Sequence, residues 1–167
     1  DTSINASALI NLDALTTGVV NAAAVTTITG TAAEINAVYA ASAAGTIVGL
    51  GNEAVTLSDT GTVASALLLT IDAHTTGTVN AAAVTTITGT AADINTVYSS
   101  SGISGLGNEA VTLTDTSINA SALINLDALT TGVVNAAAIT TITGTFAEIN
   151  AVYAALANGT ITGLGNE

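Results

Sequence analysis

The sequence contains no Lys and no Arg, and its formal net charge at pH 7 is -12. No ion pair between a carboxylate and either of these cations can therefore form within the chain. Nucleic acid and anionic membrane surfaces are bound mainly through Lys and Arg. We therefore expect neither of them as a partner.

Cys, Met, Pro and Trp are also absent, and the chain has one Phe, three Tyr and one His. The lack of Cys excludes disulfides, thiol catalysis and thiolate metal sites. Because 49% of the residues are hydrophobic and few of these are aromatic, the core has to be built from small aliphatic side chains.

The mean hydropathy of +0.67 is high, but Thr, Asn, Ser or Gly interrupts every apolar run. No run approaches the roughly 20 residues that a membrane-spanning helix needs, so we expect no membrane insertion. The sequence has neither an initiator Met nor a basic signal segment, and we expect it to be a mature or internal segment of a longer protein.

Internal repetition dominates what is present. The segment 21–39, NAAAVTTITGTAAEINAVY, recurs with few changes at 80–98 and 135–153. The chain is predicted to be a single array over residues 1–167, with repeats at 1–58, 59–114 and 115–167. Each repeat divides into two related halves of about 28 residues, the size of one coil in many solenoids.

Each half-repeat has the pattern strand, helix, Gly, strand and Asn turn. The β-branched stretches VTTITGT and VTLSDT predict strands. Thr31 and Glu34 form a predicted capping box at a helix start, and Asn5 is a predicted N-cap. A glycine in the left-handed conformation is expected to end each helix, at Gly18, Gly45, Gly77, Gly102, Gly132 and Gly159.

These elements predict an α/β fold, a right-handed solenoid of about six strand-helix-strand coils with a stacked parallel β-sheet and short Ala-rich helices. Parallel strands joined by helices cross over right-handed. Strands stack about 4.8 Å apart, whereas helices normally lie 8–10 Å apart. Either the solenoid curves with its helices on the convex side, or the short helices pack unusually close, which their alanines permit.

One Asn follows the strand in every coil, which predicts an asparagine ladder along the array. The alternative is a set of independent turn residues. The six positions are Asn21, Asn52, Asn80, Asn108, Asn135 and Asn166.

Threonines alternate along the VTTITGT strands and could form a flat array that binds ice or a glycan. The alternative is that Thr favours strands and pairs with itself across coils. This possible binding face consists of Thr27, Thr29, Thr31, Thr86, Thr88, Thr90, Thr141, Thr143 and Thr145.

Functional groups for catalysis are scarce, and we predict no enzyme activity and no catalytic residue. His74 occupies the position of Leu15 and Leu129 in the other repeats, which favours a substitution at the edge of the core over a catalytic base. No cofactor or built-in metal site is expected. The acidic residues recur only in alternate coils, too far apart for one calcium ion, so that at most weak surface calcium is expected. They are Asp1, Asp59 and Asp115; Asp13, Asp72 and Asp127; Glu34, Asp93 and Glu148; and Glu53, Glu109 and Glu167.

Units such as VTLTDTSINASAL, LDALTTGVVNAAAVTTITGTAAEIN and GLGNEAVTL resemble the tandem repeats of giant secreted cell-surface proteins of the adhesin or motility type from cyanobacteria and related bacteria. The resemblance covers essentially the whole chain and implies an extracellular or cell-surface location. We expect a structural module of a filament, surface layer or giant cell-surface protein that assembles with itself end to end. The alternative is an ice- or glycan-binding solenoid.

Overall fold

The computed structural model describes residues 1–165 and residue 167. Within these residues short parallel strands alternate with six helices, so the α/β class predicted from the sequence is confirmed. The helices are α1 (Ala6–Ala14), α2 (Ala32–Ala44), α3 (Ser65–Asp72), α4 (Ala91–Ser99), α5 (Ala120–Asp127) and α6 (Phe146–Asn158). The strands are β1 (Ser3–Asn5), β2 (Val20–Asn21), β3 (Thr27–Gly30), β4 (Ile47–Val48), β5 (Ala54–Leu57), β6 (Thr62–Ala64), β7 (Val79–Asn80), β8 (Thr86–Gly89), β9 (Ile103–Ser104), β10 (Ala110–Leu113), β11 (Ser117–Asn119), β12 (Val134–Asn135), β13 (Thr141–Thr143) and β14 (Ile161–Thr162).

Helix starts follow the local sequence. At α2 the Thr31 side chain accepts from the Glu34 N–H, and the Glu34 side chain accepts from the Thr31 N–H, which confirms the capping box. The α6 helix begins with the same box at Thr145 and Glu148. Asn5 caps α1 as predicted, since its side chain accepts from Ser7 N.

Helix ends depart from the prediction. Gly45 and Gly159 are left-handed C-caps with φ of 81° and 80°. The α1 and α5 helices instead end at Leu15 and Ala128, both in the right-handed region. The glycines that follow α1, α3, α4 and α5 have no positive φ, so the left-handed conformation predicted for them was wrong. They are Gly18, Gly77, Gly102 and Gly132.

The chain forms two compact units. The first comprises Asp1–Thr60, Leu67–Val84 and Ser100–Gly105, and the second comprises Gly61–Ala66, Thr85–Ser99 and Leu106–Glu167.

The first unit contains a five-stranded parallel sheet in the order β1-β3-β5-β7-β9 and a two-stranded sheet, β2-β4. Its core is aliphatic apart from Tyr39, which is 2% exposed. Other fully buried residues of this unit include Ile28, Ile35, Ile47, Val55, Leu68, Ile71 and Val79.

The second unit contains a five-stranded parallel sheet in the order β14-β12-β10-β8-β6 and a two-stranded sheet, β11-β13. Its core has the same character. Fully buried residues of this unit include Ile87, Ile94, Val111, Leu123, Leu126, Val134, Val152 and Ile161.

Neither five-stranded sheet coincides with one sequence repeat. The first takes β1, β3 and β5 from repeat 1–58 and β7 and β9 from repeat 59–114. The second takes β6, β8 and β10 from repeat 59–114 and β12 and β14 from repeat 115–167. The Ala-Val-Thr-Leu strand that ends each of the first two repeats is therefore the central strand, and it joins one repeat to the next.

The registers repeat from sheet to sheet. Val55 lies opposite Ile28 on one side and Val79 on the other. Val111 lies in the same way between Ile87 and Val134. Because parallel strands satisfy each other's backbone groups only in a defined register, the two sheets are built by the same pairing rule.

Candidate functional site at the junction between repeats

A polar cluster surrounds Glu53, directly before the central strand β5. Glu53 is fully buried, and no Lys or Arg is present to neutralise it. Its Oε2 accepts from the N–H groups of Gly51 and Asn52 at 2.7 and 3.1 Å, and its Oε1 accepts from the Tyr39 hydroxyl at 2.5 Å. Three donors therefore replace the water that a buried carboxylate loses.

The main chain of this cluster binds the following repeat. The Glu53 carbonyl accepts from the Thr75 hydroxyl at 2.6 Å, and the Gly51 carbonyl accepts from Thr76 N at 2.9 Å. Thr75 Oγ1 accepts in turn from Gly77 N at 3.0 Å. Two successive repeats are thus joined by hydrogen bonds as well as by strand pairing.

The same cluster recurs in the second unit around Glu109. Its Oε2 accepts from the N–H groups of Gly107 and Asn108, and its Oε1 accepts from the Tyr98 hydroxyl. The Glu109 carbonyl accepts from the Thr130 hydroxyl at 2.6 Å. The Gly107 carbonyl accepts from Thr131 N at 2.9 Å.

Glycine makes these junctions possible through close approach. A Cβ on Gly77 would lie 2.3 Å from the Glu53 carbonyl oxygen, and one on Gly132 would lie 2.2 Å from the Glu109 carbonyl oxygen. Real side chains do not approach backbone atoms this closely. Gly77 and Gly132 are therefore required by space rather than by helix capping.

Burial raises the pKa of the Tyr39 hydroxyl, and its hydrogen bond to Glu53 adds to the rise. Tyr98 responds in the same way, since burial and then the bond to Glu109 raise its pKa. For Tyr153, the hydrogen bond to Glu167 is the main cause of a raised pKa. Each hydroxyl is therefore held in the protonated form that can donate to the carboxylate.

Two further acids cap helices from a distant part of the chain. Asp59 Oδ2 accepts from Ala32 N at 2.7 Å, at the first residue of α2. Asp115 Oδ2 accepts from Ala91 N at 2.8 Å, at the first residue of α4. A carboxylate at a helix N-terminus satisfies a free N–H and interacts favourably with the helix dipole.

Side-chain hydrogen bonds from distant parts of the chain also engage several of the remaining acids. Asp13 and Asp127 each accept from a threonine hydroxyl at 2.9 Å, from Thr46 and Thr160 respectively. In the middle repeat Asp72 accepts from the Ser100 hydroxyl at 2.7 Å. Among the described residues, no group of three His, Asp or Glu side chains is placed to hold a metal ion.

The predicted asparagine positions fall into two kinds. The side-chain oxygens of Asn21, Asn80 and Asn135 each accept from the N–H two residues later, at 3.0 Å. The register places Asn80 between Thr56 and Ser104 in neighbouring strands. These three positions therefore form local turns of the Asx type and lie opposite other residue types.

Two more of the predicted ladder positions, Asn52 and Asn108, lie outside the strands. Asn52 and Asn108 donate their backbone N–H groups to the buried glutamates. Asn166 lies outside the described residues.

The predicted threonine face is divided by the fold. Thr31, Thr90 and Thr145 cap helices, because each side chain accepts from the N–H three residues later. Thr27 lies opposite Ser3 and Ala54, and Thr29 lies opposite Asn5 and Thr56.

In the second unit the rows are also mixed. Thr86 lies opposite Thr62 and Ala110, and Thr88 lies opposite Ala64 and Thr112. Thr141 and Thr143 of β13 are exposed, whereas the corresponding threonines of β3 and β8 are half-buried.

The single histidine lies at the edge of the first core. The exposed His74 ring stacks on Tyr39 with 5.2 Å between ring centroids. Its Nδ1 is 2.6 Å from the Thr70 carbonyl oxygen. It therefore covers the buried tyrosine at the position that Leu15 and Leu129 hold in the other repeats.

Comparisons with protein-family models, curated proteins and solved structures gave no match. The junction thus has to be understood from its own geometry. Within the described residues no helix combines the length and the hydropathy needed to cross a bilayer.

Sequence reasoning missed the tyrosine-glutamate pairs and the two distant aspartate caps. A signal was present, since Asn-Glu precedes the Ala-Val-Thr-Leu strand in both of its copies, and Thr-Thr-Gly follows the odd-numbered helix in every repeat. The sequence did not indicate which copy of the Asn-Glu motif contacts which copy of the Thr-Thr-Gly motif.

Proposed function

We propose that this chain is a structural module of an extracellular filament, surface layer or giant cell-surface protein, and that its repeats assemble end to end. One observation carries the proposal. Each five-stranded sheet uses three strands of one repeat and two strands of the next, in the same register. Adding a repeat therefore completes one sheet and starts another, which supports growth of the array by addition of repeats.

The proposed architecture of a long array is the right-handed α/β solenoid. Its support lies in parallel strands connected through short helices, for which right-handed crossovers are the strong preference. The alanines of the helices favour the close spacing that stacked coils need.

The chemistry of the chain suits an exported structural material. Between repeats it relies on backbone pairing and on threonine hydroxyls that donate to main-chain carbonyls. Within a repeat, N–H and O–H donors rather than ion pairs bind the buried carboxylates. Without Lys or Arg, the chain also offers no site to proteases that cleave after these residues. The extracellular or cell-surface location and the absence of enzymatic activity belong to this proposal.

Electron microscopy of the chain and of longer arrays of the same repeats tests the proposal. The expected result is unbranched filaments whose length grows with the number of repeats and whose axial period is constant. Compact particles whose longest dimension stays the same as repeats are added would overturn it. A single chain of 167 residues provides the reference particle.

The alternative is a solenoid that binds ice or a glycan through its threonine rows, and the exposed Thr141 and Thr143 are its best support. Thermal hysteresis, or retention on a polysaccharide matrix, would favour it. Loss of that signal in the double variant Thr141→Ala and Thr143→Ala would locate the binding face. The mixed rows of the two larger sheets favour the structural proposal instead.

A further inference from the structure

The first repeat presents a junction surface that lacks its counterpart. In the described structure β2 has β4 as its only neighbouring strand, whereas the equivalent strands β7 and β12 each have two. The second neighbour is β5 in one case and β10 in the other, and both have the sequence Ala-Val-Thr-Leu. The open edge of β2 is thus the position of a third such strand.

An apolar groove of about 150 Å³ adjoins this edge. Its lining includes Leu9, Leu12, Val20 and Val25. Leu12 is 49% exposed, whereas the equivalent Ile71 and Leu126 are fully buried. Leu12 therefore occupies a core position that is buried in the other two repeats. It is exposed in the first repeat, where β2 lacks a second neighbouring strand.

The polar contacts of the junction also have counterparts in the first repeat. Thr16, Thr17 and Gly18 occupy the positions of Thr75, Thr76 and Gly77. Gly18 N donates to Thr16 Oγ1 at 3.0 Å, just as Gly77 N donates to Thr75 Oγ1. The threonine hydroxyl is thus already oriented as in the occupied junctions.

We infer that β2 and this groove bind a Gly-Asn-Glu-Ala-Val-Thr-Leu segment of another repeat copy, which adds to β2 as a parallel strand. The Thr16 hydroxyl donates to the glutamate carbonyl, and the Thr17 N–H donates to the glycine carbonyl. The valine N–H donates to the Val19 carbonyl, as Val55 N does to Thr78 and Val111 N does to Val133. Such strand addition gives affinity through the main chain and specificity through the side chains that enter pockets.

Exposed apolar side chains around the groove agree with this occupant. Leu15 is 85% exposed and Val19 is 63% exposed. Leu15 occupies the place of His74, which covers Tyr39 of the preceding repeat. A repeat docked on β2 would bring its own tyrosine to Leu15.

This inference rests on the proposed function, because it names the surface by which one repeat receives another. The probe is a fluorescein-labelled peptide with the sequence of residues 106–116, titrated with the full chain and followed by fluorescence anisotropy. Chain and peptide are both acidic, so the titration is done in about 1 M NaCl, where the screening length is about 3 Å. Saturable binding with one peptide per chain is expected.

Gly18→Ala is the decisive variant. Its Cβ meets nothing closer than Thr16 Oγ1 at 3.4 Å in the free chain, so the variant is expected to fold normally. In the complex that Cβ would collide with the glutamate carbonyl, as a Cβ would at Gly77 and Gly132. The affinity for the peptide should fall about tenfold or more, because this collision keeps the glutamate carbonyl from its place in the complex.

Thr16→Val provides a second variant, since it keeps the side-chain shape and removes the hydroxyl donor. It should weaken binding about fivefold, as expected for one lost hydrogen bond. A peptide carrying Val111→Pro lacks the N–H that donates to Val19 and should not bind. Circular dichroism and the melting temperature establish that both chain variants are folded.

Three results would overturn the inference: no binding at millimolar peptide, equal binding of the Val111→Pro peptide, or unchanged affinity of the folded Gly18→Ala chain. Failure of the proposed function is a different outcome. If the peptide binds and Gly18→Ala prevents it, while longer arrays form no filaments, the docking surface stands and the structural role fails. If wild-type arrays form filaments but the wild-type chain binds no peptide, the structural role stands and the docking surface fails.

Discussion

Tyr39 and Glu53 show how a chain without Lys or Arg accommodates a buried glutamate. The carboxylate is bound by two backbone N–H groups and a phenol. The phenol is buried against the same core, and its pKa is raised first by that burial and then by the carboxylate. The hydrogen bond between the two side chains therefore requires Tyr39 to stay protonated.

The stabilising effect of this proton predicts a loss of stability at high pH. Below the ordinary tyrosine pKa of 10.0, folded and unfolded chains both keep the proton, and the contribution is fully present. Above pH 10 the unfolded chain releases protons that folded Tyr39 and Tyr98 retain, so the free energy of unfolding falls as pH rises. Ultraviolet absorbance of tyrosinate should therefore increase at higher pH in the folded chain than in the chain in denaturant.

The double variant Tyr39→Phe and Tyr98→Phe is the control, because only the exposed Tyr153 remains in it. The pH dependence of unfolding in the alkaline range should become shallower in this variant. Coincident titration curves for folded and denatured wild-type chain would contradict the prediction.

Ser65 has a buried hydroxyl group that we expect to lower the stability of the fold. It is fully buried at the position of Ala6 and Ala120, and within the described structure its hydroxyl has no hydrogen-bond partner. Ser65→Ala should therefore stabilise the chain by about 1 kcal/mol, the lower end of the cost of an unsatisfied buried polar group. Urea denaturation measures the change.

Ser121→Ala is the matched substitution, since it lies one residue after Ala120 and its hydroxyl donates to Asn119 at 2.6 Å. No gain in stability is expected from it. A Ser65→Ala chain that unfolds at the same or a lower urea concentration than wild type would show that the hydroxyl is satisfied.

At the scale of elements, the central strands β5 and β10 determine how repeats meet. Each is flanked by a strand of its own repeat and by a strand of the next. The turn after α3 has to pass directly over the Glu53 backbone to make this possible. Gly77 lies at the closest point.

Gly77→Ala should therefore destabilise the chain by about 1–3 kcal/mol or more, because a Cβ 2.3 Å from the Glu53 carbonyl forces the backbone to move. Gly18→Ala is the matched control, and its effect should stay within about 0.5 kcal/mol. Thermal unfolding of both variants makes the comparison. Equal destabilisation would mean that these glycines are needed for conformation rather than for space.

The sequence allowed the local parts of these elements to be predicted. Capping boxes at Thr31 and Thr145 depend on residues three apart, and the helix face with Ile35 and Val38 follows from a period that can be read directly. The role of Gly77 could not be found in this way. A glycine required for close approach and one required for a positive φ look the same in a sequence.

Contacts between distant parts of the chain could not be predicted from local sequence patterns either. Asp59 caps α2 at Ala32, 27 residues away in the chain, and no local pattern indicates this contact. The pairing of β5 with β7 likewise crosses a predicted repeat boundary. Identical repeats make this harder, because every copy of a motif offers the same partners. Asn80 was for this reason expected beside other asparagines, whereas its strand neighbours are Thr56 and Ser104.

At the scale of the whole molecule, the sequence repeat and the compact unit are different segments of chain. The first unit ends at Gly105 and includes Leu67–Val84 of the second repeat. Three fully buried residues of that segment are Leu68, Ile71 and Val79. A fragment limited to repeat 1–58 lacks all of them, together with two strands of the five-stranded sheet.

We therefore predict that fragment 1–105 folds and that fragment 1–58 does not. Each buried aliphatic side chain contributes about 1.5–3 kcal/mol, so the loss of three removes about 5–9 kcal/mol. Native domains are stable by only about 5–15 kcal/mol, and the shorter fragment has little left. Far-ultraviolet circular dichroism and urea titration should show a cooperative transition for 1–105 and a gradual change for 1–58.

Fragment 61–167, which contains the whole second unit, should also unfold cooperatively, because it keeps β6 to β14. If fragment 1–58 instead unfolded with the same midpoint as 1–105, the single repeat would be the folding unit and the shared sheet would be dispensable. If fragment 1–58 shows no cooperative transition, one repeat alone cannot hold its fold. Stability would then rise with each repeat added, as expected for an array that depends on neighbour contacts.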